Sequence, residues 1–171
     1  TFIERADDMV KTPSNLFCID IDKIETTLEE AKERLRHDEI IKPILVFTSP
    51  SGNGLKIIVR IDSSLIDFNK KSGLMEIFLY SVNTYLSQEY SDLLKPNKKG
   101  EYVDHACKDL SRTCFICHDS EAYLNEGSDT ILNEDFINQY PKTKTIQEIN
   151  RNFIQNPSIG IDELAMKHLL V

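Results

Sequence analysis

Short apolar segments in the first third of the chain predict three β-strands, at residues 16–22, residues 44–47 and residues 55–61. Runs of about four to eight apolar, β-prone residues bounded by turn residues are typical of strands. The segment between the last two strands, residues 48–54, reads TSPSGNG, and its proline, serines and glycines predict a tight β-hairpin. A fourth strand is expected at residues 113–117.

Apolar residues also recur at helical spacing. Leu28, Ala31 and Leu35 predict a helix that begins near Thr26 and ends at about residue 37. A longer apolar stripe over residues 74–90 predicts a second, longer helix. Helix signals follow in three further segments, residues 134–139, 146–154 and 162–170.

This order of elements predicts an α+β fold with a mostly antiparallel sheet. The 171 residues, 40% of them apolar, are close to what one hydrophobic core can organise. We expect a core domain over residues 1–125. Residues 126–171 are expected to form a helical extension, or the start of a linker to a downstream domain. The chain begins with Thr1 rather than Met, which indicates a piece of a longer protein.

The charge balance narrows the classes of partner. With 20 Lys+Arg against 28 Asp+Glu, the net charge is -8, which argues against nucleic-acid binding by broad charge neutralisation. A local strip of lysines remains a candidate for contact with a nucleic-acid backbone. The alternative is that these lysines form a solvated charged surface. No stretch reaches the roughly 18 apolar residues of a membrane helix, so we expect a cytoplasmic protein without a membrane partner. The strip consists of Lys70, Lys71, Lys95, Lys98 and Lys99.

Two carboxylates end the first predicted strand. Asp20 and Asp22 are one residue apart, so in a strand they lie on the same face. Two ionised carboxylates side by side repel each other unless a cation lies between them, and oxygen ligands of this kind suit Mg²⁺ or Mn²⁺. The alternatives are a solvated acidic strand end, or a helix N-cap at Asp22.

The predicted hairpin has the composition of a phosphate-binding loop. Glycines at 52 and 54 let backbone N–H groups approach a ligand, Ser49 and Ser51 add hydroxyl groups, and Lys56 adds a cation. No Gly-Lys-Ser/Thr sequence is present and a strand follows, so the loop is not a P-loop. The alternative is a hairpin turn without a chemical role.

The three motifs together resemble those of a known superfamily. The Asp-x-Asp strand end, the glycine hairpin with its lysine, and the later Val103-Asp104 and Ser111-Arg112 are similar, in kind and order, to the motifs of archaeo-eukaryotic primases and primase-polymerases. The strings FCIDID, SPSGNGLK and DHACKDLSRTCFICHD most closely resemble VirE-type N-terminal, primase-like domains of bacteria and mobile elements. The resemblance covers about residues 16–125. It implies a primase catalytic core, an RRM-like antiparallel sheet with packed helices.

The resemblance also implies nucleotidyl transfer in the replication of bacterial or mobile-element DNA. Asp20, Asp22 and Asp104 would then be catalytic and hold the divalent metal, Lys56 would contact the phosphates of a nucleoside triphosphate, and Arg112 would pair with the triphosphate. The implied partners are a single-stranded or primed DNA template and a helicase or ATPase module in the same or a neighbouring chain.

Three points stay open at this stage. Lys56 stands where most active primases carry His, so the alternative is a degenerate domain that binds nucleotide or DNA for a neighbouring helicase module. A nuclease could use the same carboxylates. Asp109 is the alternative third metal ligand to Asp104, and a salt bridge to a neighbouring acid is the alternative role of Arg112.

The four cysteines predict packing rather than a cofactor site. Cys114 and Cys117, followed by His118, formally match a haem-attachment signature, but in a strand the two thiols would face opposite ways. For the same reason we expect no zinc site here. With Cys18 and Cys107, these residues are expected to be reduced thiols that pack as small hydrophobes.

Overall fold

The computed structural model describes residues 10, 12, 14–62, 64, 73–109, 114, 116–128 and 131–142. The helices expected at residues 146–154 and 162–170 lie outside these residues, as do Ser111, Arg112, Lys70 and Lys71. No helix within the described ranges is long and apolar enough to cross a membrane.

Four antiparallel strands form the main sheet, in the order β1-β3-β2-β4. A fifth strand, β5, pairs in parallel with the end of β3, and three α-helices complete the described part of the fold. The α+β class and the mostly antiparallel sheet are therefore confirmed, and so is the hairpin formed by β2 and β3. The strands are β1 (Leu16–Ile21), β2 (Leu45–Thr48), β3 (Leu55–Ile61), β4 (Tyr123–Leu124) and β5 (Ile131–Leu132).

Alternation along β3 separates the two faces of the sheet. Leu55, Ile57, Val59 and Ile61 are buried, whereas the residues between them are only half-buried. The register places Ile57 opposite Ile19 of β1 and Val46 of β2, so buried residues from three strands meet on one face. These side chains join those of the helices in one hydrophobic cluster. The other face of the sheet carries Asp20 and Lys56 together with the apolar residues Phe47 and Ile58.

The first helix, α1 (Leu28–Arg36), begins one residue later than expected. Its N-cap is Thr27 rather than Thr26: the Thr27 hydroxyl oxygen accepts a hydrogen bond from the backbone N–H of Glu30 at 3.2 Å. Ala31 and Leu35 are fully buried. The helix therefore packs through the side that the spacing predicts.

The second helix, α2 (Gly73–Glu89), covers the predicted range to within one residue at each end. Phe78, Val82 and Leu86 are fully buried at the four-residue spacing of one helix face. The short third helix, α3 (Glu134–Gln139), packs against α2. Residues beyond 125 therefore contribute to the same hydrophobic cluster.

The fourth strand does not form where the sequence predicts it. Cys114, Ile116 and Cys117, the described residues of segment 113–117, lie outside the strands, and β4 forms several residues later. The reason lies in side-chain contacts with the end of β2. A carboxylate oxygen of Asp119 accepts a hydrogen bond from the backbone N–H of Thr48 at 2.7 Å, and the Cys117 thiol donates to the Thr48 carbonyl at 3.0 Å. Side chains thus use the backbone groups that a strand would need for pairing.

Candidate functional site

Asp20 and Lys56 face each other on adjacent strands. They are direct partners in the β1–β3 register, on the face of the sheet opposite the hydrophobic cluster. The Lys56 ammonium forms an ion pair with the Asp20 carboxylate, and only 12% of each side chain is exposed. Burial lowers the pKa of Lys56, but the hydrogen bond and charge of Asp20 outweigh it and leave this pKa raised. Lys56 is therefore a fixed positive charge.

Asp104 is anchored to the same strand by its backbone. Its N–H donates to the carbonyl of Asp20 at 2.9 Å. Its own side chain caps a 3₁₀ helix, His105–Lys108, by accepting a hydrogen bond from the N–H of Ala106 at 2.9 Å. These two contacts carry Asp104 from a distant part of the chain to the side of Asp20.

One further residue joins the two aspartates. Carboxylate oxygens of Asp20 and Asp104 and the thiol of Cys107 all lie within 4.8 Å of one another. Cys107 follows Asp104 by three residues in the 3₁₀ helix, a spacing that aligns side chains on one side. Asp109 lies at the C-terminal end of that helix, outside this group. Of the two alternatives for the third acid, the structure thus brings Asp104 to Asp20.

Asp22 lies beside these acids at the exposed end of β1. Partial burial of its carboxylate, then the negative charges of Asp20 and Asp104, raise the pKa of Asp22. Lys56 and Lys23 act in the opposite direction but are weaker. The negative charges of Asp20 and Asp104 therefore act on Asp22, although its carboxylate lies outside the group formed by Asp20, Asp104 and Cys107.

The hairpin loop lies directly against this strand end. A Cβ atom at Gly54 would come within 2.3 Å of the Ile21 carbonyl oxygen and 3.2 Å of the Asp22 Cα. Gly52 has a φ of +76°, which favours glycine, and open space around it. The hydroxyl oxygens of Ser49 and Ser51 are 2.9 Å apart. The loop therefore closes on itself through its serines and places Gly54 beside Asp22.

The structure also shows the contacts of Lys95, from the predicted basic strip, and of Cys114 and Cys117, the pair in the haem-like signature. Lys95 forms an ion pair with Glu25 at 3.1 Å, on the surface. The thiols of Cys114 and Cys117 have different partners: the Cys114 sulfur lies 3.7 Å from that of Cys18, whereas Cys117 bonds to Thr48. Ser111 and Arg112 lie outside the described residues, so the expected triphosphate contact of Arg112 stays a prediction.

A cleft of about 560 Å³ elsewhere contains a second group of polar side chains. Its buried carboxylate, Asp38, accepts hydrogen bonds from the hydroxyls of Tyr85 and Tyr90 and from the backbone N–H groups of Ile40 and Ile41. Through these hydrogen bonds, Asp38 holds the C-terminal end of α1 against α2. The polar side chains of this cleft therefore form a structural network, and the acids beside Lys56 are the better candidate for chemistry.

The chain was compared with protein families and with individual proteins. Residues 1–124 match the model of the BT4734-like, N-terminal domain family. The chain belongs to this family. The match includes β1, the hairpin, Asp104 and Cys107. No curated protein and no solved structure matches the chain.

Sequence reasoning missed two features of the site. The pairing of Lys56 with Asp20 follows from the register of β1 on β3, which the hydrophobic alternation alone does not specify. Cys107 packs in the hydrophobic cluster as expected, but its thiol also lies beside the carboxylates of Asp20 and Asp104, which was not expected. Its separation of three residues from Asp104 was the available signal, and it becomes informative only once residues 105–108 are known to form a 3₁₀ turn.

Proposed function

We propose that this domain is a primase-like nucleotidyltransferase that acts on DNA with the help of a divalent metal ion, Mg²⁺ or Mn²⁺. Its substrates would be a nucleoside triphosphate and a single-stranded or primed DNA template. The observation that carries the proposal is the approach of Asp104 and Cys107 to Asp20, which is paired with Lys56. Asp22, two residues after Asp20, is the third proposed metal ligand. A primase-type core, its place in replication and its helicase or ATPase partner belong to the same proposal.

The donor atoms fit a hard divalent cation. Carboxylate oxygens are the ligands that Mg²⁺ and Mn²⁺ prefer. Partial burial and the charges of Asp20 and Asp104 raise the pKa of Asp22, and a bound cation would offset both effects. The thiol of Cys107 in the same group is a poor ligand for Mg²⁺. We therefore expect Mn²⁺ to bind more tightly than Mg²⁺.

The residues of the chain divide the work by position. Asp20, Asp22 and Asp104 would hold the metal ion. Bound there, the ion would stabilise negative charge on the transferring phosphate and favour ionisation of the attacking 3′-hydroxyl. Lys56, once released from Asp20, would hold the other phosphates as a point charge.

The hairpin would support the triphosphate. The N–H group of Gly54, which lies against Asp22, and the hydroxyls of Ser49 and Ser51 would contact phosphate oxygens. The Gly52 N–H donates to the Ser49 carbonyl at 2.9 Å and would have to leave it to join them. Arg112 would add a bidentate contact. No nucleophile from the protein is required.

A second candidate function is supported by the Lys56–Asp20 ion pair. The ammonium neutralises one of the three carboxylates, which is the role that a metal ion would otherwise fill. A domain that keeps this pair closed would bind nucleotide or DNA for a neighbouring module without chemistry. The two functions differ in whether nucleotide is incorporated.

The test is incorporation of nucleotides on primed and unprimed DNA templates with Mn²⁺, using the full-length protein. Asp22→Asn is the informative variant, because Asp22 is exposed and Lys56 keeps its partner. We expect it to lower incorporation at least about a hundredfold, the order lost when one charge-stabilising group is removed from an active site. Asp92→Asn, which removes an exposed carboxylate paired with Arg34, is the control and should retain activity.

Three results would decide against transfer. Binding of nucleotide and Mn²⁺ that Asp22→Asn abolishes, without incorporation by the wild type, would favour the binding function. Cleavage of DNA without a nucleoside triphosphate would indicate a nuclease. Absence of binding, incorporation and cleavage would contradict the proposal in all its forms.

A further inference from the structure

Three cysteines from separate parts of the chain meet beside strand β1. Cys18 lies in β1, Cys107 in the 3₁₀ helix and Cys114 after it. The sulfur atoms of Cys18 and Cys114 are 3.7 Å apart, and the neighbouring Cys107 contributes, with burial, to a raised pKa of Cys18. None of the three forms a disulfide. Metal-assisted transfer, as proposed above, requires none of these contacts.

The geometry points to Cys18 and Cys114 as a redox modification site, at which a reversible disulfide forms two residues before Asp20. A disulfide needs a sulfur–sulfur distance of about 2.05 Å, so the two atoms must approach by about 1.7 Å. Rotation of the exposed Cys114 side chain can supply a movement of this size. Cys107 is buried and is therefore less accessible to an oxidant.

The reaction needs a two-electron oxidant, and a hydroperoxide is the class we propose. The Cys114 sulfur attacks one peroxide oxygen and becomes a sulfenic acid, and hydrogen peroxide leaves its other oxygen as water. The Cys18 sulfur then attacks the Cys114 sulfur, loses its proton and releases the hydroxyl group as a second water. Two thiols and one hydrogen peroxide thus give one disulfide and two waters. A small thiol reverses the reaction by exchange.

The order of the two cysteines follows from their exposure. Cys114 is exposed to solvent and meets the oxidant first, whereas Cys18 is half-buried beneath it and attacks second. The bond would tie the segment that follows Asp104 and Cys107 to strand β1. Oxidation would therefore add a covalent link at the edge of the carboxylate group.

The test is a count of thiols in the reduced protein before and after treatment with hydrogen peroxide, with peptide mapping by mass spectrometry. The wild type should fall from four thiols to two, regain four with dithiothreitol, and yield a linked peptide pair containing Cys18 and Cys114. Cys117→Ser is the matched control, because Cys117 contacts Thr48 instead, and it should fall from three thiols to one. Cys114→Ser should keep all three of its thiols, whereas Cys18→Ser should fall from three to two, because its Cys114 sulfenic acid has no partner thiol and no linked peptide pair forms.

Peptide mapping of the wild type does not depend on whether a variant folds. Retention of four thiols, a linked pair other than Cys18 with Cys114, or loss of two thiols in Cys114→Ser would overturn the assignment. The experiment uses neither metal nor nucleotide. Asp22→Asn, which removes a proposed metal ligand, should form the same disulfide, so this inference and the proposed function can fail independently.

Discussion

At the scale of single residues, the chemistry of the site depends on which cation compensates Asp20. In the structure Lys56 compensates the charge of Asp20, and only 12% of each side chain is exposed. Breaking a buried pair is costly because it leaves one charge without a partner. A metal ion at Asp20 must therefore displace Lys56, and a phosphate group that accepts the released ammonium would make metal and nucleotide bind cooperatively.

Removal of the lysine charge should separate these two effects. Lys56→Met is expected to raise the affinity for Mn²⁺ without nucleotide by about tenfold, equivalent to about 1.4 kcal/mol, because the competitor for Asp20 is lost. It should lower the affinity for the nucleoside triphosphate. Calorimetry measures both. The variant should also unfold at a lower temperature without metal and recover with Mn²⁺.

Lys95→Met is the matched control, since Lys95 pairs with the exposed Glu25 and both affinities should stay unchanged. A Lys56→Met protein that binds Mn²⁺ no more tightly than the wild type would show that Lys56 and the metal ion do not compete.

Partial burial of Asp22 and its repulsion by Asp20 and Asp104 also predict a pH dependence of stability. A carboxyl whose pKa is raised in the folded protein is more easily ionised in the unfolded chain, so it destabilises the fold increasingly as pH rises from the ordinary value of 3.8 through the raised pKa of Asp22. Asp22→Asn should therefore be more stable than the wild type at neutral pH, and the difference should vanish near pH 3.8. Urea unfolding across this range measures the difference in stability. A difference that does not change with pH, or that has the opposite sign, would contradict the raised pKa of Asp22.

At the scale of elements, the hairpin and β1 form one unit. The absence of a side chain at Gly54 lets the loop lie against the backbone of Ile21 and Asp22. The hydrogen bond from the Ser49 N–H to the Gly54 carbonyl, 2.8 Å long, closes the turn. The loop glycines therefore have structural roles that differ from each other, apart from any contact with phosphate.

Single alanine substitutions should distinguish the two glycines. Gly54→Ala is expected to destabilise the protein by about 3 kcal/mol, because its new methyl group meets a backbone carbonyl that cannot move aside. Gly52→Ala should cost about 1 kcal/mol, since only its left-handed backbone conformation is affected. Urea unfolding gives both values, and an equal cost at the two positions would contradict the close approach at Gly54.

At the scale of the whole molecule, local patterns predicted the elements better than their contacts. Alternation predicted β3, and helical spacing predicted α2 to within one residue at each end, because each pattern reflects burial of one side of an element. The prediction of a strand at residues 113–117 was wrong, because the side chains of Cys117 and Asp119 form hydrogen bonds with the backbone of Thr48. Such contacts depend on tertiary neighbours that the local pattern does not contain.

In the candidate site too, the residues were easier to predict than their contacts. Residue type and spacing singled out Asp20, Asp22 and Lys56, whereas Asp104 came from the resemblance to primases. The structure brings Asp104 to Asp20, with Cys107 in the same group. The partner of each side chain could not be predicted, since it depends on the register of β1 on β3 and on the 3₁₀ turn after Asp104. The thiol contact between Cys18 and Cys114 also depends on chain segments far apart in sequence.

The most direct measurement is a crystal structure of the protein soaked with Mn²⁺ and a nucleoside triphosphate, with the metal located by its anomalous scattering. The account predicts an anomalous peak in contact with carboxylate oxygens of Asp20, Asp22 and Asp104, with the Lys56 ammonium turned from Asp20 to a phosphate oxygen. No peak among these three aspartates at saturating Mn²⁺, with Lys56 still paired with Asp20, would contradict it.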